Sequence, residues 1–142
     1  MFKKFFKKKE KNINDKDILI AALLIHAAKI DENYTDNEKK IIKKALVSLN
    51  EITADEATIL LENGEKKEKE SNQIVEFTKE IKNNPINFRM KIIEILWKIV
   101  YSDGSSDDYE SNLIRRVCGL LYISDKESGM IKLKVKNQQN KT

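Results

Sequence analysis

Apolar residues recur at helical spacing along most of the chain, and two runs of them are dense. Residues 18–28 are apolar on nearly every side of a helix apart from His26, and residues 92–100 form the second run. A helix that is apolar all round belongs at the centre of a bundle. No stretch alternates apolar and polar positions between turn signals, which is the pattern typical of strands. We therefore expect a single compact all-α bundle of at least about six helices, with these two helices at its centre.

The second apolar run ends at an acidic joint, residues 101–110, after which helical spacing resumes. An offset of 72 residues places Asp103 on Asp31. The same offset places Glu110 on Glu38, so the order of helix, acidic joint and helix occurs twice. Self-similarity at a fixed period indicates repeated structural units. The bundle is therefore predicted to consist of two diverged helix–acidic loop–helix repeats.

Four predicted helices begin with Ser, Thr or Asp followed three residues later by Glu. In such a capping box the first side chain accepts a hydrogen bond from a backbone N–H of the first turn, and the Glu accepts one from the N–H of the cap residue. The four pairs are Thr35 and Glu38, Thr53 and Glu56, Asp107 and Glu110, and Ser124 and Glu127. In each half the second pair begins the helix that follows the joint and its helix, which extends the repeat.

Three side chains in the apolar helices, and one polar stretch between the halves, bear on function. His26 is interpreted as a satisfied histidine in the core or at its edge, because the chain offers no second histidine and too few cysteines for a transition-metal site. Cys118 is expected to be a buried thiol in an apolar helix. Trp97 is expected in the core, with the lining of an exposed groove as the alternative. Residues 62–73 suit a solvated continuation of a helix or a linker, with Gly64 as a plausible break.

The formal net charge of +4 comes from the two ends of the chain. Residues 1–11 contain six lysines and one glutamate, and residues 131–142 contain four lysines and no acidic residue, so residues 12–130 carry −5. Nucleic-acid binders carry their basic residues as a stripe on the folded body. We therefore expect no nucleic-acid partner. The chain is divided into a basic amphipathic N-terminal tail or short helix at 1–11, a helical domain at 12–130 and a basic C-terminal tail at 131–142.

In the N-terminal segment the phenylalanines share one helical face and lysines fill the rest. Such an element binds weakly and reversibly to an anionic membrane surface. The residues for this contact, or for contact with an acidic partner, are Phe2, Lys3, Lys4, Phe5, Phe6, Lys7 and Lys8. Alternatively, the phenylalanines fold back onto the domain as a first helix. No secretory leader is expected, so the expected location is the cytoplasm, with peripheral contact at the inner face of the membrane if the segment is an anchor.

The acidic joints carry the candidate metal ligands. Asp31 and Asp103 fall where a helix ends, and a carboxylate near the negative end of the helix dipole is disfavoured by roughly 0.3–1 kcal/mol. An Asx-type turn is one explanation; the other is a hard cation such as Ca²⁺, which binds about six to eight oxygens. The joints offer carboxylates at Asp31, Asp36, Glu38, Asp103, Asp107, Asp108 and Glu110. Their spacing is not that of an EF-hand, and capping alone also explains Glu38 and Glu110.

No enzymatic activity is expected from this sequence. It contains no nucleophile motif and no glycine-rich phosphate loop. Paired carboxylates can perform acid–base catalysis, but these lie in solvated joints where nothing raises a pKa toward neutrality. The chain is therefore interpreted as non-enzymatic.

The duplicated joints resemble those of the tellurite-resistance protein B (TerB) family. The resemblance rests on residues 27–31 with 35–38 in the first half and on residues 100–104 with 107–110 in the second, and it covers roughly residues 18–130. It implies an all-helical domain of about seven helices, divalent-metal binding by the acidic residues, and association with bacterial stress, tellurite resistance and the membrane surface. Where the family has Asp-Gly, the first half has Asp31 followed by Glu32.

Together these features predict a non-enzymatic, stress-associated TerB-like binding module whose joints bind Ca²⁺ or another divalent cation. The alternative is a metal-free adaptor that attaches through its basic N-terminus to a membrane surface or to an unidentified protein partner, with the joints serving only as caps. A thermal-unfolding response to Ca²⁺ that a chelator reverses would discriminate between the two, because a ligand of the folded state alone stabilises it.

Overall fold

The structure, a computed structural model, is all-α over the residues it describes. These are residues 14–30, 34–71, 73–103 and 108–140, without the side chains of residues 103, 108–110, 139 and 140. This part of the chain forms seven α-helices and two short 3-10 turns, and it contains no strand. The α-helices are α1 Asp15–Lys29, α2 Asp36–Asn50, α3 Ala54–Glu70, α4 Ile74–Thr78, α5 Ile86–Val100, α6 Asp108–Leu120 and α7 Asp125–Asn140. The predicted fold class is confirmed.

Capping boxes fix the starts of three of these helices. At α2, Thr35 Oγ1 accepts from the Glu38 N–H at 3.2 Å, while the Thr35 N–H donates to Glu38 Oε1 at 3.1 Å. Thr53 and Glu56 make the same pair of bonds at α3, and Ser124 and Glu127 make them at α7. These three predictions are confirmed. The fourth pair, Asp107 with Glu110, lies outside the described residues and side chains.

The two dense apolar runs become the central helices, as predicted. Residues 19–28 of α1 are all buried except His26, because α1 packs mainly on α3 and also contacts α2, α4 and α5. The second run belongs to α5, which packs mainly on α7 and also contacts α1, α2 and α6. A helix contacted by four others has little surface left for solvent, which explains why these sequences are apolar on nearly every side.

The element order repeats along the chain, with corresponding helices starting 71 or 72 residues apart. The triplet α1, α2, α3 is followed by the triplet α5, α6, α7, and the first helix packs on the third in both. Just before α3 and α7 the chain turns through left-handed residues, Glu51 with φ 52° and Tyr122 with φ 58°. These features agree with a duplication, and superposition of the two triplets stays a prediction.

The stretch between the halves continues a helix, which was one of its two predicted forms, but it is not solvated throughout. Gly64 does not break a helix, since α3 continues through it to Glu70, and both Gly64 and Glu68 are buried. A Cβ at Gly64 would lie only 2.7 Å from the Cβ of Ala21. The glycine is therefore a contact point between two helices, which a count of charged neighbours does not reveal.

The C-terminal boundary at residue 131 also falls inside a helix. Residues 131–140 continue α7 with Ile131 and Val135 buried, and Lys134 Nζ lies 3.0 Å from Glu94 Oε1 on α5. Ile131 and Val135 are at helical spacing, so both lie on the buried face of α7, and the lysines of this segment do not prevent its packing.

Candidate functional site at the acidic joints

Most of the sequence-predicted site residues lie outside the described part of the chain. Asp31 and Asp107 are undescribed, and so are the side chains of Asp103, Asp108 and Glu110. The contact residues of the N-terminal segment, within residues 1–13, are undescribed as well. The side chains of two proposed metal ligands, Asp36 and Glu38, are described, and both belong to the first turn of α2.

Asp36 and Glu38 sit in different environments on this turn. Asp36 is exposed, whereas Glu38 is buried with 6% of its surface accessible. Glu38 Oε1 accepts from both the N–H and the hydroxyl of Thr35, the latter at 3.3 Å. The carboxylate provides a hydrogen-bond acceptor for the N–H of the cap residue, so the predicted capping role of Glu38 is confirmed.

A buried carboxylate from α3 connects to the end of α1 beside the first joint. Glu68 Oε1 accepts from Lys29 Nζ at 2.9 Å, and its Oε2 accepts from His26 Nδ1 at 3.1 Å. Burial by itself would raise the pKa of the Glu68 carboxyl, but the hydrogen bonds and positive charge of Lys29 and His26 outweigh it and lower that pKa. His26 also lies against the ring of Phe77, at 6.0 Å between centroids. The prediction of a satisfied edge histidine is confirmed.

Tyr34 lies within the first joint, and three carboxylates act on its hydroxyl. Its hydroxyl is buried, and its contact with the Glu65 carboxylate falls short of a well-aligned hydrogen bond. Burial, followed by the charges of Glu65, Glu38 and Glu68, raises the pKa of Tyr34 far above its ordinary value. Three carboxylates therefore converge on this point, from α2 and α3.

Two lysines lie over the Tyr34 ring and offset part of this negative charge. Lys39 Nζ is 4.9 Å and Lys29 Nζ is 5.8 Å from the ring centroid. Both distances fall within the range at which a cation is attracted to an aromatic face. This arrangement could not be predicted from the sequence, because it depends on how Lys29 at the end of α1 and Lys39 on α2 approach one ring.

The second joint begins with a short 3-10 turn, Tyr101–Asp103. The Tyr101 ring stacks on Trp97 with centroids 5.9 Å apart, and Ser102 Oγ donates to the Ile99 carbonyl at 2.7 Å. Trp97 is buried and its Nε1 donates to Ser128 Oγ at 3.3 Å. The core position predicted for Trp97 is confirmed. The second joint begins at Tyr101, whose ring stacks on this core tryptophan.

Cys118 lies in the core between α6 and its neighbours, as predicted. It is 1% exposed, and burial raises the pKa of its thiol. A thiol held in the protonated form has little nucleophilic character. Cys118 therefore acts as a small apolar side chain.

The described side chains do not form a metal site by themselves. Within the described ranges, no group of three or more His, Cys, Asp or Glu is placed so that it could hold a metal ion. At the first joint they provide the exposed Asp36 carboxylate and the carboxylates that act on Tyr34. Any metal site at this place needs the carboxylates of the joint residues themselves.

Comparison with known proteins identifies the family. A model of the family described as tellurite resistance protein TerB matches residues 17–133, which is well over half of the chain and includes both acidic joints. Searches of curated proteins and of solved structures each gave no match. None of the helices in the described ranges is long and apolar enough to cross a membrane. From the family match, together with the all-helical fold and the two acidic joints, we conclude that the chain belongs to the TerB family.

Proposed function

We propose that this protein is a non-enzymatic binding module whose two acidic joints bind a divalent cation, with Ca²⁺ as the first candidate, in a stress response of the tellurite-resistance type. Membership of the TerB family supports the module. The metal and its ligands are the more specific part of the proposal. The proposed ligands are Asp31, Asp36, Glu38, Asp103, Asp107, Asp108 and Glu110.

The observation that supports a cation at the first joint is the concentration of negative charge next to it. The carboxylates of Glu38, Glu65 and Glu68 all act on the buried hydroxyl of Tyr34, which lies within this joint. These carboxylates would attract a divalent cation to the joint. The donors available are carboxylate oxygens, which suit hard cations such as Ca²⁺ and Mg²⁺ rather than Zn²⁺ or copper.

A cation bound at each joint would supply electrostatic stabilisation rather than chemistry. Asp31 and Asp103 come directly after helices whose carbonyl ends are negative, so an unneutralised carboxylate there is unfavourable. Neutralising it would hold the end of one helix to the start of the next. We therefore expect the cation to stabilise the folded state by mass action.

The test is calorimetric titration of the full chain with Ca²⁺, Mg²⁺ and Mn²⁺, together with thermal unfolding. We expect binding heat and a rise in unfolding temperature that a chelator reverses; at a free concentration of about 100 times Kd the gain is about 2.7 kcal/mol. The double variant Asp31→Asn with Asp103→Asn should lose this response. Asp55→Asn with Asp125→Asn is the matched control, because it removes the same charge from the first turns of α3 and α7, away from both joints.

The outcome that would end the metal hypothesis is the absence of heat and of a thermal shift with all three cations. If the double variant of Asp31 and Asp103 keeps the response, the cation binds somewhere other than at these two residues. Loss of the response in the Asp55 and Asp125 control as well would indicate a nonspecific effect of net charge.

The second candidate function is a metal-free adaptor, favoured by the separation of charge between the N-terminal segment and the body of the chain. In this case residues 1–11 attach the domain to an anionic membrane surface or an acidic protein partner, and the joints only cap helices. The capping box of Thr35 and Glu38 accords equally with this role. The calcium experiment separates the two functions, because the adaptor has no calcium response to lose.

A further inference from the structure

An open groove lies between α2, α5 and α7. Its volume is about 580 Å³, and apolar surface predominates in its lining. The floor consists of Ile41 and Ala45 from α2, Ile95 from α5 and Val135 from α7. Ile41 and Ala45 are half-buried, whereas Ile95 and Val135 are buried.

The rim of the groove is positively charged. Lys44 on α2 and Lys91 and Lys98 on α5 line it, and among the described residues that do so none is acidic or aromatic. Two of these lysines are close to a carboxylate, that of Glu94, whose side chain is 12% exposed. Glu94 Oε2 lies 3.7 Å from Lys91 Nζ and 3.8 Å from Lys98 Nζ.

Glu94 does not cancel the charge of the rim. Burial would raise the pKa of its carboxyl, but a hydrogen bond from Lys134 and the charges of Lys98, Lys134 and Lys91 lower it. Three lysines therefore surround one carboxylate, and Lys44 adds a fourth positive charge across the groove. The rim keeps a positive potential that a negatively charged occupant would complement.

The walls of the groove match the length of a short helix. On α2 the lining runs from residue 41 to residue 48, and on α5 it runs from residue 91 to residue 98. The first and last of these positions are seven residues apart, which is about two helical turns or roughly 10 Å. An apolar floor of this length accepts side chains spaced three, four and seven residues apart on an amphipathic helix.

We propose that this groove binds an amphipathic helix of a partner protein, with the apolar stripe of that helix on the floor and its acidic flanks against Lys44, Lys91 and Lys98. The N-terminal segment of the same chain is a poor occupant, because its six lysines would meet a lysine rim. Nucleic acid is disfavoured because the lining offers no ring on which a base could stack. A small molecule would be left largely exposed in an open groove, whereas ligand sites normally bury most of the ligand surface.

This inference is independent of the metal proposal. Asp36 and Glu38, the two proposed metal ligands whose side chains are described, do not line the groove. Binding can therefore be measured in the presence of a chelator, where failure of the metal hypothesis has no effect on the result.

The test uses the full chain and a fluorescent peptide of about 15 residues, with leucines at helical spacing and glutamates on both flanks, in low salt with chelator. We expect saturable binding by fluorescence anisotropy, with amide NMR shifts confined to α2, α5 and α7. Lys44→Glu should weaken binding about five-fold through the rim. Ala45→Glu, which places a carboxylate on the floor, should weaken it about ten-fold or more.

Lys69→Glu on α3 is the matched control, since Lys69 is exposed and lies outside the groove. It makes the same charge change as Lys44→Glu and should leave binding unchanged. If Ala45→Glu lowers the unfolding temperature, the comparison of Lys44→Glu with Lys69→Glu still decides the question.

Three outcomes would overturn the proposal. One is no saturable binding of the acidic peptide. Another is equal binding of a peptide with lysines in place of the glutamates, or of one with the leucines scrambled out of helical spacing. The third is binding to vesicles of phosphatidylglycerol that Lys44→Glu weakens while the peptide does not bind, which would make this face a membrane contact instead.

Discussion

Gly64 lies where α3 crosses α1, and we expect Gly64→Ala to destabilise the protein although alanine is the better helix former. An added Cβ would lie 2.7 Å from Ala21 Cβ, 3.1 Å from Ile25 Cδ1 and 3.2 Å from the Ala21 carbonyl carbon. Carbon atoms in favourable contact are about 3.5–4.0 Å apart. The Ala21 atoms belong to a helix backbone and its first side-chain carbon, so no rotation of a side chain can relieve the contact. The two helices would have to move apart.

The expected magnitude is the difference of two effects. Replacing glycine by alanine inside a helix gains about 1 kcal/mol. Overpacking a well-filled core costs about 1–3 kcal/mol, and a clash against backbone belongs at the upper end of that range. The net effect is a loss of about 1–2 kcal/mol in the free energy of unfolding.

The assay is urea unfolding of the full chain, supported by thermal unfolding, in which each kcal/mol corresponds to roughly 3–4 °C for a chain of this size. Gly129→Ala on α7 is the matched control, since a Cβ there meets nothing within 4 Å. It should stabilise the protein by about 0.5–1 kcal/mol through helix propensity alone. The two variants make the same chemical change and are expected to have opposite signs.

If Gly64→Ala proves as stable as the unmodified chain or more stable, then α1 and α3 do not approach as closely as the structure indicates. A loss in both glycine variants would mean that helix propensity does not govern the control site. Only opposite signs agree with the reasoning above.

Two further predictions concern the first joint. Glu68 has a lowered pKa in the folded state, so its stabilising contribution is present above its unfolded pKa of about 4.3 and is lost as the pH falls through the folded value. Glu68→Gln should therefore lower the free energy of unfolding near neutral pH by about 1–3 kcal/mol. Urea unfolding at about pH 3 should show a smaller difference in the free energy of unfolding between this variant and the unmodified chain. A difference that does not change with pH would contradict this. Thr35→Ala should cost about 0.5–2 kcal/mol through loss of the cap, measured by the same unfolding assay, and a change within error would show that the capping box of α2 contributes little.

The local features of this protein could be predicted from its sequence. Each described capping box joins residues three positions apart, so its two hydrogen bonds depend on a spacing that is visible in the chain itself. The central positions of α1 and α5 follow from runs that are apolar on nearly every side. The family could be predicted for the same reason, because its joints are short patterns of neighbouring residues. For the metal ligands the sequence supplies candidates, and these stay a prediction.

The contacts between distant segments were decided only by the tertiary structure. His26 and Glu68 are 42 residues apart, and Glu68 lies in a charged run that reads as solvated. A glycine in a charged run suggests a helix break. The actual role of Gly64 is contact with Ala21, which lies on another helix and cannot be identified from the local sequence. The groove needs α2, α5 and α7 at once, so no single segment encodes it. In each case the side-chain pattern determines which face of a helix is apolar, whereas the crossing of two helices determines which residue of one face meets which residue of the other.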